Sequence, residues 1–235
     1  MQNNNKFEIK KIDWRTNPRL EHLIETLKQD GIFVLTNYFT PAQISILQQE
    51  FDNIYYLHED KVEILEKEDV SRDKRIFGVQ NFSNIFRDYY HDNSVFNTIS
   101  QVYTNRVGER KTLINLLEFS EDEVRNSGAG WHRDNHDCQF KIITYLTDVN
   151  ENNGNFQWIC NSSKKHIGYP TPRTESYNTR FFDETIEKEV LSNPFCQTIN
   201  VVGKAGDTII VDTTYIHRGN IIKEGHRKAV TQYFF

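Results

Sequence analysis

The spacing of apolar residues changes near Lys111, and this change constrains the fold more than any single motif does. Before it, Leu20, Leu23, Ile24 and Leu27 fall at i, i+3, i+4 and i+7, forming one stripe of a helix that Asp30-Gly31 ends. Thr40-Pro41-Ala42-Gln43 offers a capping hydroxyl, a proline at the first helical position and a Gln three residues after the cap. This opens a second helix with Ile44, Leu47, Phe51 and Ile54 inward. A third helix is expected near 94–104, with Phe96, Ile99 and Tyr103 on one side. Between the first two helices Ile32-Phe33-Val34-Leu35 reads as a strand, whereas residues 60–92 are charged and carry no clear period. After Lys111, β-rich runs occupy 112–119, 138–148, 155–160, 207–212 and 227–235, separated by polar or Gly-containing stretches such as 150–154. The expectation is a single α+β domain over 1–235. Its helical N-terminal half, to about 110, packs on one face of a β-sandwich or barrel of about 111–235. An insertion over about 161–198 is long enough to serve as a lid or binding loop.

Composition removes several classes of function. With 37% hydrophobic and 13% aromatic residues the chain can build a core, which excludes disorder. Lys and Arg number 28 against 33 Asp and Glu, a net charge of −5, so the basic excess of a general nucleic-acid binder is missing and a small-molecule partner is expected instead. Cys138, Cys160 and Cys196 stand far apart without a C-x-x-C pair, suggesting neither a thiolate zinc site nor a disulfide framework. The first six residues are polar and no window approaches the ~18 apolar residues of a membrane span, so a cytoplasmic protein without membrane contact is expected. Oligomeric state is not legible.

The chemistry concentrates around His132-Arg133-Asp134. In extended backbone, residues i and i+2 point to the same side, so the imidazole and the carboxylate can share one ion. Eighty-five residues on, His217 follows the strand run 207–212 and can complete a 2-His-1-carboxylate facial triad. Such a triad holds Fe(II) by one face and leaves the other open for substrate and O₂. Arg227, ten residues past His217, is a planar permanent cation suited to anchoring a dicarboxylate cosubstrate bidentately, with Arg218 and Lys141 as the alternatives.

Around these residues the sequence resembles the phytanoyl-CoA dioxygenase family of Fe(II)/2-oxoglutarate-dependent oxygenases. The resemblance is carried by Gly130-Trp131-His132-Arg133-Asp134, by residues 145–154 from Tyr145 to Gly154, and by Gly206-Asp207-Thr208-Ile209-Ile210-Val211-Asp212 leading to Ile216-His217-Arg218-Gly219. It extends to His226-Arg227-Lys228-Ala229-Val230-Thr231 before a final strand and to 29–35 as an opening strand. The resemblance implies a double-stranded β-helix of jelly-roll type, with His132, Asp134 and His217 as catalytic iron ligands and Arg227 on the C5 carboxylate of 2-oxoglutarate. It implies a hydroxylase that uses O₂ and converts 2-oxoglutarate to succinate and CO₂. The resemblance implies two further cosubstrate contacts, Asn115, where similar members carry an amide, and Tyr145, on the parity that faces the barrel interior in the family register; the other readings are a strand-edge amide satisfied by backbone for Asn115 and core packing for Tyr145. One departure matters: residues 160–166, Cys160 to His166, replace the family's usual Pro-Gly-Ser-His beside the active site. The ligands themselves are intact, and Asp134 is a carboxylate where related halogenases have a small residue, which favours hydroxylation over halogenation.

Two other readings stand beside this one: a metal-dependent jelly-roll isomerase or hydrolase without the cosubstrate, and a non-enzymatic carbohydrate-binding module. Several residues carry an ordinary structural reading. His136 suits a loop, His166 and His226 exposed turns, and His22, His58 and His91 the helical half. Trp131 and Trp158 suit core aromatics, and Lys164, Lys165, Arg173 and Arg180 a solvated face.

Overall fold

The computed structural model describes residues 7–65, 73–122, 130–134, 139–163 and 180–235. His136, Cys138, Lys164, Lys165, His166 and Arg173, with residues 164–179 of the 161–198 insertion, lie outside the described residues. Helices form over Leu20–Asp30, Pro41–Leu57 and Ser94–Thr104. The Thr40 hydroxyl accepts from the Gln43 backbone N–H at 3.3 Å while Gln43 Oε1 accepts from Thr40 N–H at 2.8 Å, so the capping box is closed in both directions. Gly31 ends the first helix at φ +77°, its N–H donating to Leu27 O at 2.8 Å. A Cβ at Gly31 would lie 2.6 Å from the Tyr215 ring, so both handedness and space require glycine there.

Eleven strands are present among the described residues: β1 (Lys11–Asp13), β2 (Ile32–Thr36), β3 (Glu63–Leu65), β4 (Asp73–Phe77), β5 (Arg110–Glu118), β6 (Phe140–Tyr145), β7 (Phe156–Ile159), β8 (Thr198–Val201), β9 (Thr208–Asp212), β10 (His217–Gly219) and β11 (His226–Phe234). Eight form one sheet in the order β1-β2-β9-β6-β11-β5-β4-β3, and β10-β7-β8 form a second. Only β1 and β2 pair in parallel among these strands. Together the sheets make the expected double-stranded β-helix, with the helices on the outer face of the large sheet.

Strand alternation sorts the side chains into two layers. Phe33, Leu35, Ile114, Phe140, Ile142, Ile210 and Val230 face outward into one apolar cluster with Leu23, Leu27, Leu47, Phe51 and Phe96 of the helices. Ile32, Val34, Tyr145, Ile209 and Val211 face inward and pack with Phe156, Trp158 and Val201 of the second sheet. The uninterrupted apolar run Ile32–Leu35 follows from this, since both of its faces are covered. A third cluster gathers Trp131, Ile159, Phe181, Ile186, Val190 and Ile216. Thus Trp131 and Trp158 are core residues, and residues 180–191 pack against the barrel.

The first half is less helical than its period suggests. It contributes β1 to β4 to the large sheet, two of them from the charged stretch 60–92. A strand such as β4 gains its stability from pairing with β5, over Lys74–Phe77 against Leu116–Leu113, and local apolar alternation cannot report that pairing.

Candidate metal centre

His132 and His217 are direct cross-strand partners. Each backbone N–H donates to the other's carbonyl, at 3.0 and 2.9 Å, so two residues far apart in sequence stand opposite one another with ring centroids 4.4 Å apart. Asp134 is two residues past His132, and its backbone N–H donates to Thr213 O at 3.1 Å. Its carboxylate lies 3.6 Å from His132 Nε2 through Oδ1 and 3.5 Å from His217 Nε2 through Oδ2. One ligand atom from each of the three residues falls within 4.8 Å of the others. The other described histidines, His22, His58, His91 and His226, are outside this cluster.

The cluster fits a divalent metal. Nδ1 of His132 is 2.8 Å from Gly130 O and Nδ1 of His217 is 2.9 Å from Tyr215 O. Those carbonyls can only accept, so Nδ1 of each ring carries the proton and the Nε2 lone pair is directed to the centre. His217 Nε2 is buried and makes no hydrogen bond among the described residues, which is costly unless an ion completes it. Burial pushes both histidine pKa values below the ordinary 6.5, His217 well below it, holding the rings in the neutral form that ligates. Burial alone would raise the pKa of Asp134, but the Lys141 ammonium, 2.5 Å from Oδ2, and the two histidines outweigh it and hold the carboxyl well below its usual range. The three residues therefore offer two neutral nitrogens and one anionic oxygen.

A cavity of about 110 Å³ opens beside the cluster. Its wall is the inward parity of three adjacent strands: Leu113 and Asn115 of β5, Lys141, Ile143 and Tyr145 of β6, and Arg227, Ala229, Thr231 and Tyr233 of β11. Arg227 is buried, with Nη1 donating to Gly154 O and Nη2 to Asn115 Oδ1 at 2.6 Å. Nε makes no hydrogen bond among the described residues. Gly154 sits at φ +80° in the turn between β6 and β7, where a Cβ would meet Leu117 at 2.6 Å, so this turn can present its carbonyl to Arg227 only as glycine. Asn115 in turn donates through Nδ2 to Asp73 Oδ2 at 3.0 Å, and Arg75 donates to the same oxygen at 2.9 and 2.7 Å. Tyr145 borders the cavity with its ring. Its hydroxyl donates to Val201 O at 2.8 Å and accepts from Phe156 N–H at 2.9 Å, and burial pushes its pKa up to about 12.

Arg180 differs from its sequence reading, because it is half-buried and lines this cavity rather than a solvated face. Sequence reasoning missed Asp73 and Arg75 entirely. The only signal available was a charged pair at i, i+2 within a run that shows no alternation.

The sequence profile of the phytanoyl-CoA dioxygenase family matches residues 27–228 of this chain. No curated protein sequence matches it significantly. Among solved structures it is similar to the epimerase SnoN of nogalamycin biosynthesis, in complex with Fe3+, alpha-ketoglutarate and nogalamycin RO. The TM-score is 0.70 and the identity 16% over 92% of this chain and 83% of that one. It is also similar to the alpha-ketoglutarate-dependent carbocyclase SnoK of the same biosynthesis, with TM-score 0.66 and 13% identity over 93% and 84% of the two chains. A Pseudomonas putida prolyl-4-hydroxylase aligns with TM-score 0.61 and 11% identity over 92% and 99%.

Proposed function

Because the chain belongs to the phytanoyl-CoA dioxygenase family, within the superfamily of iron- and 2-oxoglutarate-dependent oxygenases, we propose that it hydroxylates a small-molecule substrate at a centre held by His132, Asp134 and His217. The observation that carries this reading is the convergence of two tautomer-fixed Nε2 atoms and one ionised carboxylate at the wall of a cavity that also holds the buried Arg227. Iron with 2-oxoglutarate and O₂ supplies the oxidative chemistry, yielding succinate, CO₂ and an oxidised substrate.

The protein's own groups do the rest. Gly130 and Tyr215 carbonyls orient the ligand rings, and Lys141 keeps Asp134 ionised. Arg227 pairs with the distal carboxylate of 2-oxoglutarate and so sets its direction in the cavity, while Gly154 and Asn115 hold the guanidinium in place. Asn115 acts through Arg227 and Tyr145 shapes the wall. The buried apolar residues around the cluster exclude bulk water.

A metal-only isomerase or hydrolase would have no use for a buried arginine beside the ligands, and a binding module would have no use for the cluster at all. Hydroxylation is favoured by Asp134, whose carboxylate takes the place that a halide would need. The SnoN and SnoK similarities are with an epimerase and a carbocyclase, so product analysis is the decisive measurement for outcome. The test of the whole reading is anaerobic Fe(II) binding followed by succinate release on adding 2-oxoglutarate and air. One equivalent of iron and succinate above the metal-free control are expected; absence of both rejects the reading.

A further inference from the structure

Arg218 follows His217 directly and lines the same cavity, yet neither metal binding nor cosubstrate anchoring employs it. Its guanidinium is fixed from three directions. Nε donates to Gln157 Oε1 at 2.7 Å, Nη1 donates to Asp183 Oδ1 at 2.7 Å, and the guanidinium carbon lies 4.2 Å from the centre of the buried Trp131 ring. Gln157 is itself oriented, since its Nε2 donates to Asn200 Oδ1 at 2.8 Å. Nη2 makes no hydrogen bond among the described residues. A planar cation held this rigidly has surrendered most of its rotamer freedom before any ligand arrives, which lowers the cost of binding one.

The charges around the cavity indicate what that ligand carries. Lys141 faces Asp134 and Arg75 faces Asp73, each pair with one buried and one part-buried member. A divalent metal and a dianionic cosubstrate on Arg227 cancel each other. Among the described residues Arg218 then has only Asp183 as an acidic partner, whose side chain is 59% exposed, and an ion pair with so solvated an acid contributes little.

Resting on the function proposed above, we infer that Arg218 is the anchor for an anionic group, carboxylate or phosphate, on the primary substrate, setting which C–H bond of that molecule lies at the metal centre. A guanidinium offers the two-pronged geometry both groups accept.

The test uses the Fe(II)- and 2-oxoglutarate-loaded protein with a panel of aliphatic and aromatic monocarboxylates and monoalkyl phosphates, alongside neutral amides of the same skeletons. Anaerobic binding and stimulation of succinate release are read. Acids that bind or stimulate should do so at least tenfold better than their amides, and the preference for carboxylate or phosphate arms identifies the anion. In Arg218→Gln the acid preference should fall about 10- to 100-fold, with iron content and 2-oxoglutarate affinity retained. Asp183→Asn, which removes the competing partner from an exposed position and leaves the fold intact, should tighten acid binding a few-fold. The inference is overturned if amides do as well as acids, if no acid distinguishes the native protein from Arg218→Gln, or if Asp183→Asn weakens acid binding. Loss of iron or of 2-oxoglutarate binding in the unmodified protein would instead reject the functional reading beneath it.

Discussion

Replacing Arg227 by Lys tests the cosubstrate site and its supporting network in one variant. The charge survives, but the fork does not. Arg227 spends one Nη hydrogen on Gly154 O and one on Asn115 Oδ1, and keeps Nε–H and the remaining Nη hydrogens for a ligand. A lysine offers three hydrogens from one point, so it cannot serve both protein acceptors and grip a carboxylate with two parallel bonds. Losing one hydrogen bond to a charged group costs about 1.5 to 3 kcal/mol, which weakens 2-oxoglutarate binding by about 10- to 150-fold. The fold also loses a donor. Either Gly154 O or Asn115 Oδ1 is left buried without one, a cost of about 1 to 3 kcal/mol. For a chain of this size that lowers the melting temperature by about 2 to 12 °C. Anaerobic titration of the Fe(II)-loaded protein with 2-oxoglutarate gives the first number and calorimetry the second. An unchanged titration in a folded variant would remove Arg227 from the cosubstrate site. An unchanged melting temperature would mean that the two hydrogen bonds contribute nothing to the fold.

His132→Ala or Asp134→Ala should abolish tight Fe(II) binding, read by metal analysis after desalting, while circular dichroism stays native; full iron occupancy in either variant would reject the ligand assignment. The metal-free protein should lose stability as the pH falls through the ordinary histidine value of 6.5, because burial depresses both ligand histidines in the folded state and the unfolded chain then binds more protons. That stability is fully present above 6.5 and lost below it, and a melting temperature flat from about pH 7.5 to 5 would contradict it. Thr40→Ala opens the capping box and should cost about 1 kcal/mol, or about 2 to 4 °C in melting temperature, without altering 2-oxoglutarate binding. Once a substrate is found, mass spectrometry of product formed under ¹⁸O₂ with chloride present should show one labelled oxygen and no chlorine. A chlorinated product would refute the role given to the Asp134 carboxylate.

The elements legible in the sequence are those whose cause is local. The Thr40–Gln43 capping box, the Leu20–Leu27 stripe closed by Gly31, and the β-rich runs that became β5, β6, β7, β9 and β11 all depend on residues within a few positions of one another. His132 and Asp134 belong here too, because strand geometry alone puts i and i+2 on one side. Strand parity likewise placed Lys141, Ile143 and Tyr145 on a common face. The charged run 60–92 was illegible, because β4 is defined by its pairing with β5 and because one of its inward-facing positions is Arg75, which breaks any apolar alternation.

What only tertiary structure decided is where the distant members of the site meet. The backbone exchange between His132 and His217, the carbonyl that Gly154 offers to Arg227, the chain from Arg227 through Asn115 to Asp73 and Arg75, and the stacking of Arg218 on Trp131 each join residues from distant stretches of the chain. A charged side chain in sequence reads as a solvated one, since burying a charge is costly unless a partner compensates it. Asp134 is largely shielded beside Lys141 because the fold brings that compensating charge from β6 to within hydrogen-bonding distance, and Asp73, paired with Arg75 on its own strand, is buried only once β4 has joined the sheet.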